Sequence, residues 1–325
     1  MQTAPRKKVA AVVYNPLKVD IEKLRLAVAD AERAAGWGAT AWFETSKTDA
    51  GQDVTASAIR RGASVVIAAG GDGTVRAVAE ALRDSPVALA VVPSGTGNLL
   101  ARNLVLPLTG LESSIEVAFA GIDRQIDIGL VEIRRPDGTT EEHAFLVMAG
   151  LGLDAKMIKN TSVRLKKAVG WLAYVDGITR SLPELKPVRV EYRLDGGAAR
   201  SMNVHTIIVG NCGQLPGGLL LMPDAEPDDG VLDIAALRPR GPFGWLQVWR
   251  KVAWENGVLR KSALGRKIID LSADVKDVTY LTGRILTMTP STPQEFQLDG
   301  DEIGEASSVR AWIDHLGLTV KVPAP

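Results

Sequence analysis

The sequence lacks most features that announce disulfide, zinc or membrane-spanning chemistry. It contains one cysteine, Cys212, so neither an internal disulfide nor a multi-cysteine zinc site can form, and a reducing, cytoplasmic setting fits. No window approaches the ~18 uninterrupted apolar residues that a membrane-crossing helix needs. The first apolar run, Val9 to Val13, stops at Tyr14-Asn15-Pro16 and is too short for the core of a signal peptide. The chain therefore reads as soluble. Net charge is missing too: 38 Lys and Arg offset 38 Asp and Glu, which leaves no overall field to recruit nucleic acid or an anionic membrane. Any membrane contact must be local. The three histidines, His143, His205 and His315, lack metal-ligand spacing. No G-x-S-x-G, Walker A, internal repeat or low-complexity linker occurs.

What is present suggests two compact units, because 325 residues exceed the usual single-domain size and 46% are hydrophobic. From residue 9 to about 126, short β-branched runs alternate with segments of helical period, the signature of a parallel sheet with crossover helices. Strands are expected at Val9–Tyr14, Thr40–Thr45, Val65–Ala69 and Ala88–Val92, and helices at Ile21–Ala35, Thr55–Arg61, Val75–Leu82 and Leu99–Leu104. After Asp127 the texture changes to extended segments broken by turns, with Arg135-Pro136-Asp137-Gly138 and Leu194-Asp195-Gly196-Gly197 as hairpin signals. Strands are expected at 128–134, 143–149, 188–194, 203–210, 231–237, 278–280, 284–289 and 294–298, with helices near 162–180 and 242–260. Those two helices carry apolar stripes, Leu165, Val169, Leu172 and Thr179 on one, Trp245, Val248, Trp249, Val252 and Leu259 on the other, flanked by basic residues. Such stripes suit either packing on the β domain or an interfacial membrane contact.

Gly70-Gly71-Asp72-Gly73-Thr74 follows an expected buried strand and opens a helix. Three glycines let backbone approach a phosphate closely, and a helix N-terminus offers free N–H groups to negative charge. An aspartate inside that cradle would repel a bare phosphate, so Asp72 suggests a magnesium ion between carboxylate and triphosphate. A second glycine loop, Pro93-Ser94-Gly95-Thr96-Gly97-Asn98, follows the next strand. Two such loops at neighbouring strand ends face one crevice and clamp one nucleotide. Gly150-Leu151-Gly152-Leu153-Asp154-Ala155 fits a dinucleotide fingerprint, but the acidic residue required about 20 positions later should end a strand, and Asp176 falls in a helical pattern.

The set Asn15-Pro16, Gly70–Thr74, Pro93–Asn98 with Ala101-Arg102, Asp127-Ile128-Gly129, Asp229-Gly230 and Leu298-Asp299-Gly300-Asp301 resembles, in order, the motifs of the diacylglycerol kinase catalytic family, which also includes sphingosine and ceramide kinases. The resemblance implies an α/β nucleotide domain with a mostly parallel sheet (residues 1–126, completed by 311–325) and a mostly antiparallel β-sandwich lipid-substrate domain (127–310), with the active site between them. It also implies roles. Asn15, Pro16, Lys18 and Thr45 would touch ATP, Gly70, Gly71, Asp72, Gly73 and Thr74 would hold its phosphates, and Gly95 and Thr96 would close the other side. Asp299 and Asp301 would be the catalytic residues, Asp299 as the general base and Asp301 standing where the family usually has glutamate. Asp72 and Asp127 would belong to a catalytic magnesium network. Glu226, Asp229 and Val231 resemble a structural magnesium site. The partner implied is a lipid at a membrane surface, with the protein cytoplasmic or peripheral at the inner face and a homodimer compatible.

The chain departs from the family at several positions. Leu17-Lys18 replace a Ser-Gly pair, Arg76 replaces asparagine, and Leu99 replaces an acidic residue. Diacylglycerol is the default acceptor, with a long-chain base or other lipid alcohol as an alternative. An NAD kinase shares the Gly-Gly-Asp-Gly-Thr core, and the loss of a carboxylate at Leu99 keeps a non-catalytic sensor in view.

Overall fold

The structure, a computed structural model, describes residues 7–151, 187–215, 219–238 and 278–324. The helices expected near 162–180 and 242–260 lie outside the described residues. The first part of the chain runs β1 (Val9–Tyr14), α1 (Ile21–Ala35), β2 (Gly38–Glu44), α2 (Gln52–Arg60), β3 (Val65–Gly70), α3 (Asp72–Leu82), β4 (Ala88–Pro93), α4 (Leu99–Asn103) and α5 (Leu111–Ala120). β1, β3 and β4 are continuous apolar runs because helices cover both of their faces. On one face Leu24, Val28, Ile115 and Phe119 of α1 and α5 meet Val12, Ile67 and Val92; on the other, Ala58, Val78 and Leu82 of α2 and α3 meet Ala11, Val66 and Leu89. Asp20 starts α1 by accepting the N–H of Lys23, and Gly36 ends it in the left-handed region. α5 escapes the sequence pattern because its buried face includes Ser114, which breaks the apolar period.

The four strands are parallel in the order β2-β1-β3-β4, so all their carboxyl ends lie along one edge. Beyond them follow β5 (Ile122–Arg134), β6 (Thr140–Phe145), β7 (Met148–Leu151), β8 (Val188–Leu194), β9 (Arg200–Val204), β10 (Thr206–Gly210), β11 (Gln214–Leu215), β12 (Leu219–Leu220), β13 (Leu232–Leu237), β14 (Val278–Gly283), β15 (Ile285–Pro290), β16 (Gln294–Leu298), β17 (Asp301–Ala306) and β18 (Ser308–Val322). β18 places Val320 parallel to Leu89 of β4, and pairs antiparallel with both β5 and β15, which carries the first sheet on to β8 and β9. A second, antiparallel sheet has the order β14-β13-β10-β7-β16-β17. Val131, Phe145, Leu151, Val190, Val209, Ile234, Met288 and Phe296 fill the space between the two sheets. The fold is thus the expected pairing of a largely parallel α/β sheet with an antiparallel β-sandwich.

The strands differ from the sequence pattern at several points, and the single strand expected at 203–210 is two, β9 and β10. The single strand expected at 143–149 is two, because the chain turns at Leu146-Val147 and sends their N–H groups to Asp299. β17 escapes notice because Asp301-Glu302-Ile303-Gly304-Glu305 is acidic. β5 begins at Ile122 rather than 128, so Asp127 lies inside a strand.

The glycine of Asp127-Ile128-Gly129 has a packing reason. Gly129 pairs with Phe145 across the ladder, and a Cβ there would lie 2.2 Å from the fully buried Phe145 ring. Gly129→Ala should therefore destabilise the fold by about 3 kcal/mol through forced displacement of that ring, read as a lower urea midpoint. An unchanged midpoint would mean the ring moves aside freely.

Candidate active site

The edge formed by the carboxyl ends of the parallel strands gathers most of the expected nucleotide contacts. After β1, the Asn15 N–H donates to the Ala69 carbonyl (2.9 Å), the Asn15 side chain accepts the Leu17 N–H (2.9 Å) and the Asn15 carbonyl accepts the Lys18 N–H (3.0 Å). Asn15-Pro16-Leu17-Lys18 is thus a tight turn that holds Leu17 88% exposed, with Lys18 exposed beside it. After β2, the buried Thr45 donates its N–H to the Tyr14 carbonyl (2.9 Å), which brings it next to Asn15.

The two glycine loops touch. The Ser94 N–H donates to the Gly70 carbonyl (2.9 Å). A Cβ on Gly95 would fall 2.8 Å from the Gly71 Cα, so only glycine allows the loops to approach this closely. Asn98 braces the second loop, accepting the Gly95 N–H and donating to the Gly95 carbonyl, both at 3.0 Å. α3 begins at Gly71 without a side-chain cap, so its first-turn N–H groups keep the capacity to bind an anion. α4 also lacks a cap of its own, and Asp72 supplies it: the carboxylate accepts the N–H groups of Asn98 (2.9 Å) and Leu99 (2.5 Å). Burial, together with the nearby negative charge of Asp299, raises the Asp72 pKa against those two hydrogen bonds. Thr96 stays exposed at the tip of its loop. Leu99, where the family usually has an acid, turns its side chain into the hydrophobic core.

Asp299 and Gly300, at φ 49 and 90, form a two-residue turn between β16 and β17. The Asp299 carboxylate faces inward and is only 5% exposed. It accepts three backbone N–H groups, from Leu146 (2.9 Å), Val147 (2.9 Å) and Met148 (3.0 Å), while its own N–H donates to the Met148 carbonyl (2.8 Å). Burial pushes its pKa up, against the opposing pull of Arg76 and the three N–H donors. Arg76 of α3 reaches this turn, donating from Nη1 to the Leu298 carbonyl and from Nη2 to Asp301 Oδ2 at 3.0 Å. Behind it, the fully buried Asn211 donates to the carbonyls of both Leu146 and Asp127 at 3.0 Å and so fixes the backbone that cradles Asp299. Sequence reasoning missed Asn211, for which the flanking Gly210 and Gly213 gave a weak signal. It noted Arg76 only as a departure from the family pattern.

Asp127 lies within β5. Its fully buried carboxylate is occupied by the N–H groups of Gly230 (2.6 Å) and Leu316 (2.7 Å) and by His315 Nδ1 (2.8 Å), not by the Asp72 loop. Through these bonds Asp127 acts as an acceptor joining β5, β18 and the 226–231 turn. Among the described residues no group of three or more His, Cys, Asp or Glu converges as a metal site. In the 226–231 turn, Glu226 and Asp229 are exposed and Asp229 accepts the Val231 N–H at 2.9 Å. Burial and the carboxylates of Asp229 and Asp224 push Asp233 up to about 6, so negative charge is concentrated there.

Replacing Asp299 by Ala would leave three buried N–H groups without their acceptor. Chemical unfolding of the variant should show a loss of about 2–4 kcal/mol, with Asp299→Asn intermediate because its amide oxygen still accepts. Equal stability of all three proteins would show that water satisfies the cradle.

The diacylglycerol kinase catalytic domain model matches residues 10–131, and that of the YegS C-terminal NAD kinase beta sandwich-like domain matches residues 146–256. A protein of Pseudomonas fluorescens named "Probable lipid kinase YegS-like" is 36% identical over 220 residues, which span 66% of this chain and 68% of that one. A diacylglycerol kinase of Bacillus subtilis is 31% identical over 235 residues, 71% of this chain and 74% of its own. The crystal structure of a diacylglycerol kinase from Bacillus anthracis shares the fold, with a TM-score of 0.66 at 19% identity over 98% of each chain. Both halves of the fold and the ordered motifs along it agree with these matches, and the chain belongs to the diacylglycerol kinase catalytic family.

Proposed function

We propose that the protein is an ATP-dependent lipid kinase that phosphorylates a lipid alcohol, with diacylglycerol as acceptor and phosphatidic acid as product. The observation that carries this reading is the position of Asp299: a buried carboxylate, held by three N–H groups, on a turn gripped by the helix that begins at the Gly70–Thr74 loop. Around it, Gly70, Gly71, Gly73 and Thr74 form a nest for the phosphates at the start of α3, while Gly95 and Thr96 cover them from the second loop. Asn15, Pro16, Lys18 and Thr45 border the same strand edge on the nucleotide side. In the transfer, the acceptor oxygen forms a bond to the γ-phosphorus, the bond to the bridging oxygen of ADP breaks, and Asp299 takes the hydroxyl proton. The transition state is loose, so positioning and charge neutralisation contribute more than full deprotonation.

Asp72 offers hard oxygen donors beside the nest and fits a magnesium ion, which would supply charge neutralisation at the phosphates. A second ion would be held at the 226–231 turn by the Asp229 carboxylate and the carbonyls of Glu226 and Val231, beside the like charges of Asp224 and Asp233. No helix among the described residues is long and apolar enough to cross a membrane. The reading places the lipid at a membrane surface, with the protein cytoplasmic and peripheral at the inner face, on the strength of the family resemblance alone.

The test is incubation of the protein with radiolabelled ATP and a total lipid extract, with purified diacylglycerol, sphingosine and NAD in parallel. Label in phosphatidic acid is the expected result; label in NADP, or in no lipid, overturns the reading. The pH dependence has a defined sign. Asp299 must be charged to accept a proton and burial raises its pKa, so kcat should fall on acidification with a midpoint above the 3.8 of an unperturbed aspartate. For the second ion, millimolar magnesium should raise the melting temperature of the wild type, and Asp229→Ala should abolish that rise. A rise that survives the substitution would place the ion elsewhere.

A further inference from the structure

Arg76 lies one turn into α3 from Asp72, at the i+4 position, and so shares its side of the helix. Its side chain is 15% exposed and its guanidinium spans the Asp299-Gly300 turn, with Nη1 on the Leu298 carbonyl and Nη2 on Asp301 Oδ2 at 3.0 Å. The two acceptors are the residues immediately before and after the turn. The helix and the turn are also in close apposition, since a Cβ on Gly73 would lie 2.7 Å from Asp301 Oδ2. We infer that Arg76 is a positioning residue that clamps the Asp299 turn onto the phosphate-binding helix, with Asp301 as its anchor rather than a second proton acceptor. The inference rests on the reading of Asp299 given above.

The planar fork of arginine makes this geometry specific, because it meets two acceptors in fixed directions whereas a lysine ammonium acts as a point charge. The Asp301 side chain is 51% exposed, and a half-exposed ion pair of this kind contributes little to stability. Its value lies in where it sets the turn, because displacement of a reacting group by about 1 Å can cost on the order of a hundredfold in rate. Arg76 is also the leading influence that opposes the burial-driven rise in the Asp299 pKa, so the clamp favours the charged carboxylate as well as its placement.

The same helix supplies its own control. Arg83, the residue that caps the end of α3, pairs with Asp314 (2.7 Å) and Glu142 (3.2 Å) but not with the Asp299 turn. If α3 only needed stitching to the β-sandwich, loss of either arginine would have similar consequences.

Steady-state kinetics of the full chain with ATP and its lipid acceptor separate the two cases. Arg76→Ala should lower kcat by about tenfold or more while KM for ATP stays within about threefold, and Arg76→Lys should restore only part of the loss. Asp301→Ala should lower kcat as well, and the double variant should be no slower than Arg76→Ala alone, because both changes remove one contact. Arg83→Ala should keep kcat within about twofold. Amide hydrogen exchange at residues 298–301 should accelerate in Arg76→Ala and not in Arg83→Ala. Wild-type kcat in Arg76→Ala, additive losses in the double variant, or equal losses in Arg76→Ala and Arg83→Ala would overturn the clamp. If the wild type phosphorylates no lipid alcohol, the reading of the site falls, and the exchange measurement alone then decides whether Arg76 holds the turn.

Discussion

The carboxylate of Asp72 sits where two helices begin, and the architecture of the site follows from how it divides its bonds. It opens α3 in the chain and, across the crevice, accepts the first N–H groups of α4. One side chain thereby joins the two glycine loops into a single concave surface and stands in for the cap that Asn98 does not provide to its own helix. The arrangement works only because Gly95 lacks a side chain, since a Cβ there would fall 2.8 Å from the Gly71 backbone. It also explains why the loss of an acid at position 99 is tolerated structurally. The Leu99 N–H still satisfies Asp72, while its side chain adds to the core beneath.

The second half of the site depends on burial of charge. Asp299 carries a carboxylate into the interior, which is costly unless several donors converge on it. Leu146, Val147 and Met148 provide them because the chain turns between β6 and β7 instead of continuing as one strand. Asn211 then holds the carbonyl side of the same turn. The β-sandwich thus bends one strand to present a group of three donors, and the Asp299-Gly300 turn brings the acceptor to them. The positive φ of both turn residues suits Asp-Gly, so the pair serves at once as a hairpin turn and as a carrier of the carboxylate.

The parts of this picture that depend on neighbouring residues were legible in the chain itself. Val65–Gly70 followed by Gly71-Asp72-Gly73-Thr74 contains its strand, its turn and its helix start within ten residues, and Ala88–Leu99 does so within twelve. Asp299 was legible only through family resemblance, because Asp-Gly taken alone points to a turn. The features that the sequence pattern does not show depend on distant contacts. Arg76 finds its acceptors 222 and 225 residues away, and Asp127 finds His315 at a separation of 188. No local period encodes such partners. α5 and β17 escaped for a different reason, since a buried serine and an acidic strand obscure the apolar spacing that marks an element.

β5 and β18, 13 and 15 residues long, run side by side from the parallel sheet into the sandwich, and their ladder is interrupted only between Asp314 and Leu318. At that interruption Leu316 adopts φ 55, and the two groups that pin it, the Leu316 N–H and the His315 ring, both end on Asp127. Along these two strands the halves are tied by a continuous ladder rather than a slack tether, and the one stretch that leaves the ladder is moored to an aspartate on the neighbouring strand.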